Sequence, residues 1–519
     1  MPSRFLRLTL LTAATALFAA APASASHPPT HEQARALTFE EAVVGFDAGA
    51  ALRQVPTFSA ECENGMAGPY PCENVDLLGF VPLPMLGGAT GNDMWGWTDP
   101  RDGNEYAIMG TSTSTAFVNV TDPTAPHLVG YLPTAGIPDF VLWRTLRVDG
   151  HHVFVASEIT DHGVQVMDLH KLRDVDPSGP PEIFSEDATY FGTEEDPLSN
   201  THAMWIDEPN DTMYLTGTNT CGTEDSPAGS GEDGGLHMVD ISDPLNPTFA
   251  GCALLNSFIG SENNNYVHET WCETYHGPDV QHQGREICFA SNENVVAIFD
   301  VTNKANPVLL SETTYPDASY THQGSPSLDH KWFMFNDELD EQEQGVPTTT
   351  YILNISDLDN PPTPAGWVHD PQSATIDHNA FVHGNRQFQS NYSQGLEIME
   401  FSDASLAQTQ MERIAYFDVL PGVDVAEFAG TWSNFRFPSG NVALSLIEEQ
   451  TNGLMMVKPN LPPDTSGGPS ASGPSGDGSK GAGPDAAAKQ KCKRKKGAAK
   501  GKGKPKRKRK CGKRKRKKR

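Results

Sequence analysis

Short apolar runs recur along the chain, each closed by the same polar break. In residues 236–251, LHMVDISDPLNPTFAG, Leu236, Met238 and Ile241 supply the apolar positions of a short buried strand. Asp243-Pro244 and Asn246-Pro247 then oppose continuation as a helix and favour a turn, after which a second strand begins. Residues 116–130 (AFVNVTDPTAPHLVG), 295–311 (VVAIFDVTNKANPVLLS) and 350–366 (TYILNISDLDNPPTPAG) repeat the pattern, down to the proline near the second strand. Weaker copies lie at 164–169 (VQVMDL), 396–403 (LEIMEFSD) and 454–458 (LMMVK).

Aligned on Asp240, the repeated positions are Asn119, Asp168, Asp240, Asp300, Asn354, Glu400 and Lys458, in steps of 49, 72, 60, 54, 46 and 58 residues. One four-stranded blade of a β-propeller takes ~40–50 residues. The pattern therefore predicts an all-β chain folded as a β-propeller, seven-bladed by this count, with inserted loops in the longer steps. An open β-solenoid is the alternative and would show shorter, more regular repeats. Three of the copies are weak, so a ring of six or eight blades stays open.

Composition divides the chain further. Residues 1–25 carry Arg4 and Arg7 ahead of an apolar run from Leu8 to Ala21 and a small-residue site at 23–25, the pattern of a secretory signal peptide. That run is shorter than the ~20 residues a membrane-spanning helix needs, and no later stretch qualifies, so no transmembrane span is expected. Residues 26–74 read as an extension packed on the domain, with 38–44 (TFEEAVV) its only helical hint. Residues 75–459 read as the propeller and 460–488 as a Pro/Gly/Ser-rich linker. Residues 489–519 form a Lys/Arg-rich tail that has no apolar residues to bury and is expected to be disordered on its own.

The formal charge of −28 hides two opposite bodies. Residues 480–519 hold 22 Lys and Arg against one Asp, whereas residues 26–479 hold 14 basic against 65 acidic residues, a net −51. An acidic body repels anions, which argues against nucleic acid as the partner of the folded part. The tail predicts electrostatic retention at an anionic envelope polymer or lipid surface, so the protein is expected to be exported and extracellular or cell-surface associated. The alternative is that the tail folds back on the acidic body.

Export makes the eight cysteines legible, because an oxidising compartment favours disulfides. Cys62 with Cys72, Cys221 with Cys252 and Cys272 with Cys288 are the expected pairs, although six cysteines permit about 15 pairings. Cys492 and Cys511 lie in the tail. No CxxC or Cys/His zinc spacing is present.

Candidate chemistry lies upstream of each repeat. Asn92-Asp93, Arg144-Thr145, Thr201-His202, His268-Glu269, Thr321-His322, Asp377-His378-Asn379 and Ser433-Asn434 precede the aligned positions by 22–38 residues. If each opens the innermost strand of its blade, they converge on one rim of the central channel. His202, His268, His322 and His378 would then offer imidazoles to a divalent transition metal. Asp93, Glu269, Asp377 and Asn379 would line the same rim. The competing expectation is that these histidines hydrogen-bond between blades and fix the ring. Asp337, Glu338, Asp340 and Glu341 offer hard oxygens for calcium, or form a solvated acidic turn. Residues 99–105 (DPRDGNE) read as a hairpin turn at Asp102-Gly103. Trp95, Trp97, Trp143 and Trp432 read as inter-blade core. GxSxG, HExxH and P-loop motifs are all absent.

The chain resembles the LVIVD-repeat proteins of the choice-of-anchor B family. The resemblance rests on GNDMWGWTD (91–99), EYAIMGTSTSTAFVNV (105–120), GREICF (284–289), YTHQG (320–324), DELDE (337–341), IDHN (376–379), QSNY (389–392) and WSN (432–434), and spans residues 75–459. It implies an exported propeller, in a family whose members differ in how their C-termini attach to the cell, and it brings no established reaction. One departure is that the family's Trp-Arg-Asp appears as Trp143-Arg144-Thr145, without its carboxylate. The expected role is a surface-retained binding or interaction module. The alternative is a metal-dependent propeller hydrolase using the histidine and carboxylate rim.

Overall fold

The computed structural model describes residues 58–137, 143–222, 234–255, 265–447 and 453–462. The expected signal peptide, the helical hint at 38–44, most of the linker and the basic tail lie outside the described residues.

The described residues form seven sheets, each built on a four-stranded antiparallel blade, with Glu182–Ile183 added parallel to the outer strand of one and two short N-terminal strands added to another; in six of them the chain starts at the inner edge and steps outward strand by strand. Blade 1 comprises Gly91–Thr98, Glu105–Thr111, Ser114–Asn119 and His127–Pro133, and blade 2 Arg144–Asp149, His152–Ser157, Val164–Asp168 and Ala188–Tyr190. Blade 3 comprises Thr201–Asp207, Thr212–Thr218, Leu236–Asp240 and Thr248–Ala253, and blade 4 Glu269–Thr274, Glu286–Asn292, Val295–Asp300 and Val308–Thr313. Blade 5 comprises Thr321–Pro326, Trp332–Asp337, Thr349–Asn354 and Ala365–Val368, and blade 6 Ala380–His383, Arg386–Asn391, Gly395–Glu400 and Glu412–Phe417.

Blade 7 takes Thr431–Arg436, Val442–Leu446 and Gly453–Pro459 from the end of the body and its outermost strand, Val75–Pro82, from the beginning. The first strands of neighbouring blades touch one another, which puts them innermost around the axis. A seven-bladed propeller is the outcome, not an open solenoid. Of the N-terminal extension, Tyr70–Glu73 pairs with the outer strand of blade 6 and carries Met66–Ala67 beyond it.

Every sequence repeat is the third strand of a blade, and its polar break has a physical job. Asn119, Asp168, Asp240, Asp300 and Asn354 each accept, at Oδ1, a hydrogen bond of 2.8–3.1 Å from the backbone N–H two residues on. This Asx turn ends the third strand and aims the chain at the fourth. Glu400 and Lys458 are too long for it, which is why those copies are weak. The third and fourth strands slip register at the same place in five blades, at Phe117/Val118, Met238/Val239, Ile298/Phe299, Ile398/Met399 and Leu77/Gly79. Such bulges add the local twist that a blade needs toward its rim.

Blades lock through backbone and rings. Gly251, on the outer strand of blade 3, lies against the turn of blade 4, and a Cβ there would sit 1.9 Å from the Lys304 carbonyl oxygen. Phe289 stacks on Phe333 at 4.9 Å, and Trp95 meets Phe435 at 5.2 Å. Trp95 and Trp97 are fully buried and Trp432 nearly so, in agreement with a core role, while Trp143 is half-buried. Residues 99–105 form the expected hairpin connection between the first two strands of blade 1. The three expected disulfides, Cys62–Cys72, Cys221–Cys252 and Cys272–Cys288, are all present. His237, in the third strand of blade 3, lies 2.8 Å from the Tyr190 hydroxyl of blade 2 and 2.7 Å from the Thr220 hydroxyl. Burial holds its pKa down at about 4.

Two outcomes are expected. Gly251→Ala should cost about 2 kcal/mol through the clash with the Lys304 carbonyl, read as a lower urea midpoint at unchanged slope. His237 is neutral in the folded state at pH values where it is protonated in the unfolded chain. Its contribution is therefore complete above pH ~6.5 and is lost as pH falls toward ~4, by about 3 kcal/mol. Unfolding curves of His237→Gln should show a shallower decline in that window than wild type, and parallel curves would contradict this.

Candidate functional site

The channel mouth is built from the openings of the inner strands. His202 is the second residue of its strand, His268 directly precedes its strand, His322 is the second residue of its strand and His378 lies two residues ahead. All four are buried, and their rings follow one another at 4.4, 4.6 and 4.0 Å between centroids. They form an arc across blades 3 to 6. Blades 7, 1 and 2 complete the rim with Trp432, Asp93 and the pair Arg144-Thr145. Inner-strand pairing is irregular at Gly91/Met94, Thr321/Gly324 and Thr431/Ser433, where a bulge re-aims the side chains of the opening. The rim encloses a cavity of about 10 Å³ lined by residues that include Asp93, His202, Glu269, His322 and His378. That is room for a single water-sized sphere.

Each imidazole is oriented by a specific partner. Nδ1 of His268 meets the His322 carbonyl at 3.2 Å, and Nδ1 of His378 meets the Trp432 carbonyl at 2.6 Å. A carbonyl can only accept, so Nδ1 carries the proton in both rings and Nε2 keeps its lone pair. This is how metal-binding histidines are usually held. The bonds also tie blade 4 to blade 5 and blade 6 to blade 7, so ring fixing and ligand presentation fall to different nitrogens of the same side chains. Glu338 spans two of the histidines, with Oε1 3.4 Å from His378 Nε2 and Oε2 3.7 Å from His322 Nε2. It accepts a 2.7 Å hydrogen bond from the Tyr392 hydroxyl, and burial raises its pKa to about 8. One ligand atom each from His268, His322 and Glu338 lie within 4.8 Å of one another. His202 Nδ1 contacts Glu158 at 2.5 Å, and burial depresses the pKa of its ring.

The other rim residues have structural partners. Asp93 is 2.6 Å from Arg147 of the next blade, both buried, and Arg147 also covers the Trp95 ring at 4.5 Å. Glu269 is pushed up to about 8 by burial, against the pull of Arg147. Asn379 donates to the Ser433 hydroxyl at 3.1 Å, which joins blades 6 and 7.

The acidic loop is buried, not a solvated turn. Asp337 accepts from the amides of Ser319, Tyr320, Leu339 and Asp340 and from the Tyr315 hydroxyl, so both its oxygens are spent on folding the loop. Asp340 accepts from Tyr351, and Asp377 accepts from Gln389. Burial raises the pKa values of Asp340, Glu341 and Asp377, and repulsion adds to each shift, from Asp337 on Asp340, from Asp377 and Asp340 on Glu341, and from Asp340 and Asp337 on Asp377. Among the described residues, Glu338 is the loop's only member of a converging set of three metal-ligand atoms.

Glu158, Arg147 and Tyr392 were not anticipated from the sequence. Glu158, Glu293 and Glu338 each directly follow the second strand of their blade. Aligning the second strands as well as the third would have exposed that position.

Residues 231–253 match the family model of the LVIVD repeat. No curated protein matches the chain. Among solved structures it is similar to the β-propeller domain of Cps50 (Swd1) from Myceliophteria thermophila, at 9% identity over 68% of this chain and 93% of that one, with a TM-score of 0.41. It is also similar to a protein from Lactobacillus plantarum, at 13% identity over 65% of this chain and 85% of that one, with a TM-score of 0.42. The chain thus carries an LVIVD repeat within a seven-bladed β-propeller.

Proposed function

We propose that the protein is an exported binding module of the choice-of-anchor B type, whose channel mouth holds one transition-metal ion and whose basic tail retains it on an anionic envelope surface. The observation that carries the metal reading is the convergence of His268, His322 and Glu338 ligand atoms within 4.8 Å. It is joined by the proton assignment that leaves Nε2 of His268 and His378 as donors of a lone pair. Imidazole nitrogen with one carboxylate suits zinc, copper, iron or manganese better than calcium. Buried carboxyls with raised pKa values would lose their protons to such an ion. About 10 Å³ accepts one atom-sized species.

Export is supported by the charged and apolar pattern of residues 1–25 and by three disulfides. Among the described residues no helix is long and apolar enough to cross a membrane. Retention is supported by the 22 basic residues of 480–519.

Metal analysis of purified protein should find about one equivalent of transition metal in wild type and a substoichiometric amount in His268→Gln/His322→Gln, chosen to keep side-chain bulk. Metal-free wild type of normal stability would defeat the reading. For the tail, deleting residues 480–519 should release the protein into the medium, and raised salt should do the same to the intact chain. Retention unchanged by both treatments would rule out electrostatic anchoring.

A further inference from the structure

The inner strands of blades 3 and 4 have a second functional end. Asp207 lies five residues beyond His202 along one extended strand, which sets it about 16 Å from the histidine rim. There the ends of Thr201–Asp207 and Glu269–Thr274, with His330 from blade 5, enclose a cavity of about 430 Å³. Its size is that of a small-molecule site, some forty times the cavity at the rim. One wall is aromatic: Trp205 and Trp271 stack at 3.9 Å, and the Trp205 indole N–H is fixed to the Cys272 carbonyl at 2.8 Å. The other polar groups are acidic. Asp207 is buried and accepts from Asn210 at 2.7 Å, Glu208 is beside it, and Glu273 faces it from blade 4 with one carboxyl oxygen shut off from water.

The lining holds no lysine or arginine, and its basic side chains are His276 and His330. His330 Nδ1 accepts from the His276 amide at 3.0 Å, which leaves its proton on Nε2, 3.3 Å from Glu273 Oε1. Burial holds that ring near pKa 4, so it is neutral at physiological pH. Lys304, the nearest lysine to act on Asp207, is already bonded to Glu286. Burial in turn holds Asp207 at about 7 and Glu273 at about 8, with neighbouring carboxylates adding to both shifts. A cavity with an aromatic wall and desolvated carboxyls lacking a cation is complementary to one that brings its own.

We propose that this cavity binds an organic ammonium ion, a primary amine on a short apolar stem, between the Trp205–Trp271 wall and the carboxyls of Asp207 and Glu273. The ammonium keeps its proton, and a carboxylic acid gives its proton to solvent as it becomes the counter-ion. Binding at pH 7 therefore releases protons, which a neutral ligand in the same cavity would not do.

The test is calorimetric titration of the full-length protein with 1,4-diaminobutane and with 1,4-butanediol, each in two buffers of different ionisation enthalpy. Diamine binding with net proton release, and no binding of the diol, is the expected result. Glu273→Gln and Asp207→Asn should each weaken the diamine at least tenfold. They preserve side-chain shape and change the body's charge of −51 by one, so such a loss reports the cavity and not the general acidic field. Absence of diamine binding, binding without proton release, equal binding of the diol, or unchanged binding in both variants would each overturn the proposal. The proton count is read on wild type and needs no variant to fold.

Discussion

The antiparallel ladder between Val75–Pro82 and Gly453–Pro459 is the contact on which every other distance in the ring depends. It runs from Val75 opposite Pro459 to Pro82 opposite Gly453, with one slip at Leu77/Gly79, and it turns a stack of blades into a closed circle. Closure covers the two sheet faces that a row of blades would leave open. It also brings blade 7 against blade 1, where the Trp95 and Phe435 rings meet at 5.2 Å. The rim inherits its geometry from this. His378 is oriented by a carbonyl of blade 7, and Asp93 of blade 1 is neutralised by Arg147 of blade 2.

Within the circle the same inner strands carry different chemistry at their two ends. At the mouth, side chains crowd around a space for one atom, and hydrogen bonds to backbone carbonyls decide which imidazole nitrogen faces it. At the far end, Trp205 and Trp271 open a space large enough for a small molecule. Both ends hold carboxyls whose burial favours the protonated form. A body with so many acids thus hides several of them as neutral groups, which lessens self-repulsion without any basic partner.

The third-strand repeat is legible in the sequence because one interaction writes it: the Asx turn demands a short oxygen-bearing side chain at one place in five of the seven blades. The rim histidines are legible for a related reason, since one recurs 22 to 38 residues upstream of the aligned position in four successive blades. Glu158 and Arg147 are not marked by that turn, and Glu158 recurs only when the second strands are aligned. Their roles come from pairing across blades, with His202 and with Asp93. The acidic loop misleads from sequence alone. DELDE reads as a calcium loop or a solvated turn, whereas Asp337 is consumed by backbone amides and only Glu338 turns toward the histidines. The far cavity escapes detection because Trp205 and Trp271 look like ordinary strand residues until two neighbouring blades bring their rings together.

A chain synthesised from its N-terminus makes Val75–Pro82 ahead of every other blade strand and its partner strand last. Until Gly453–Pro459 emerges, the outer position of blade 7 has nothing to pair with, and the flanks of blades 1 and 6 stay uncovered. Completion of the native state therefore waits for nearly the whole body, and its rate is governed by the contact of greatest sequence separation. What holds the finished ring together is also what keeps it from forming too soon.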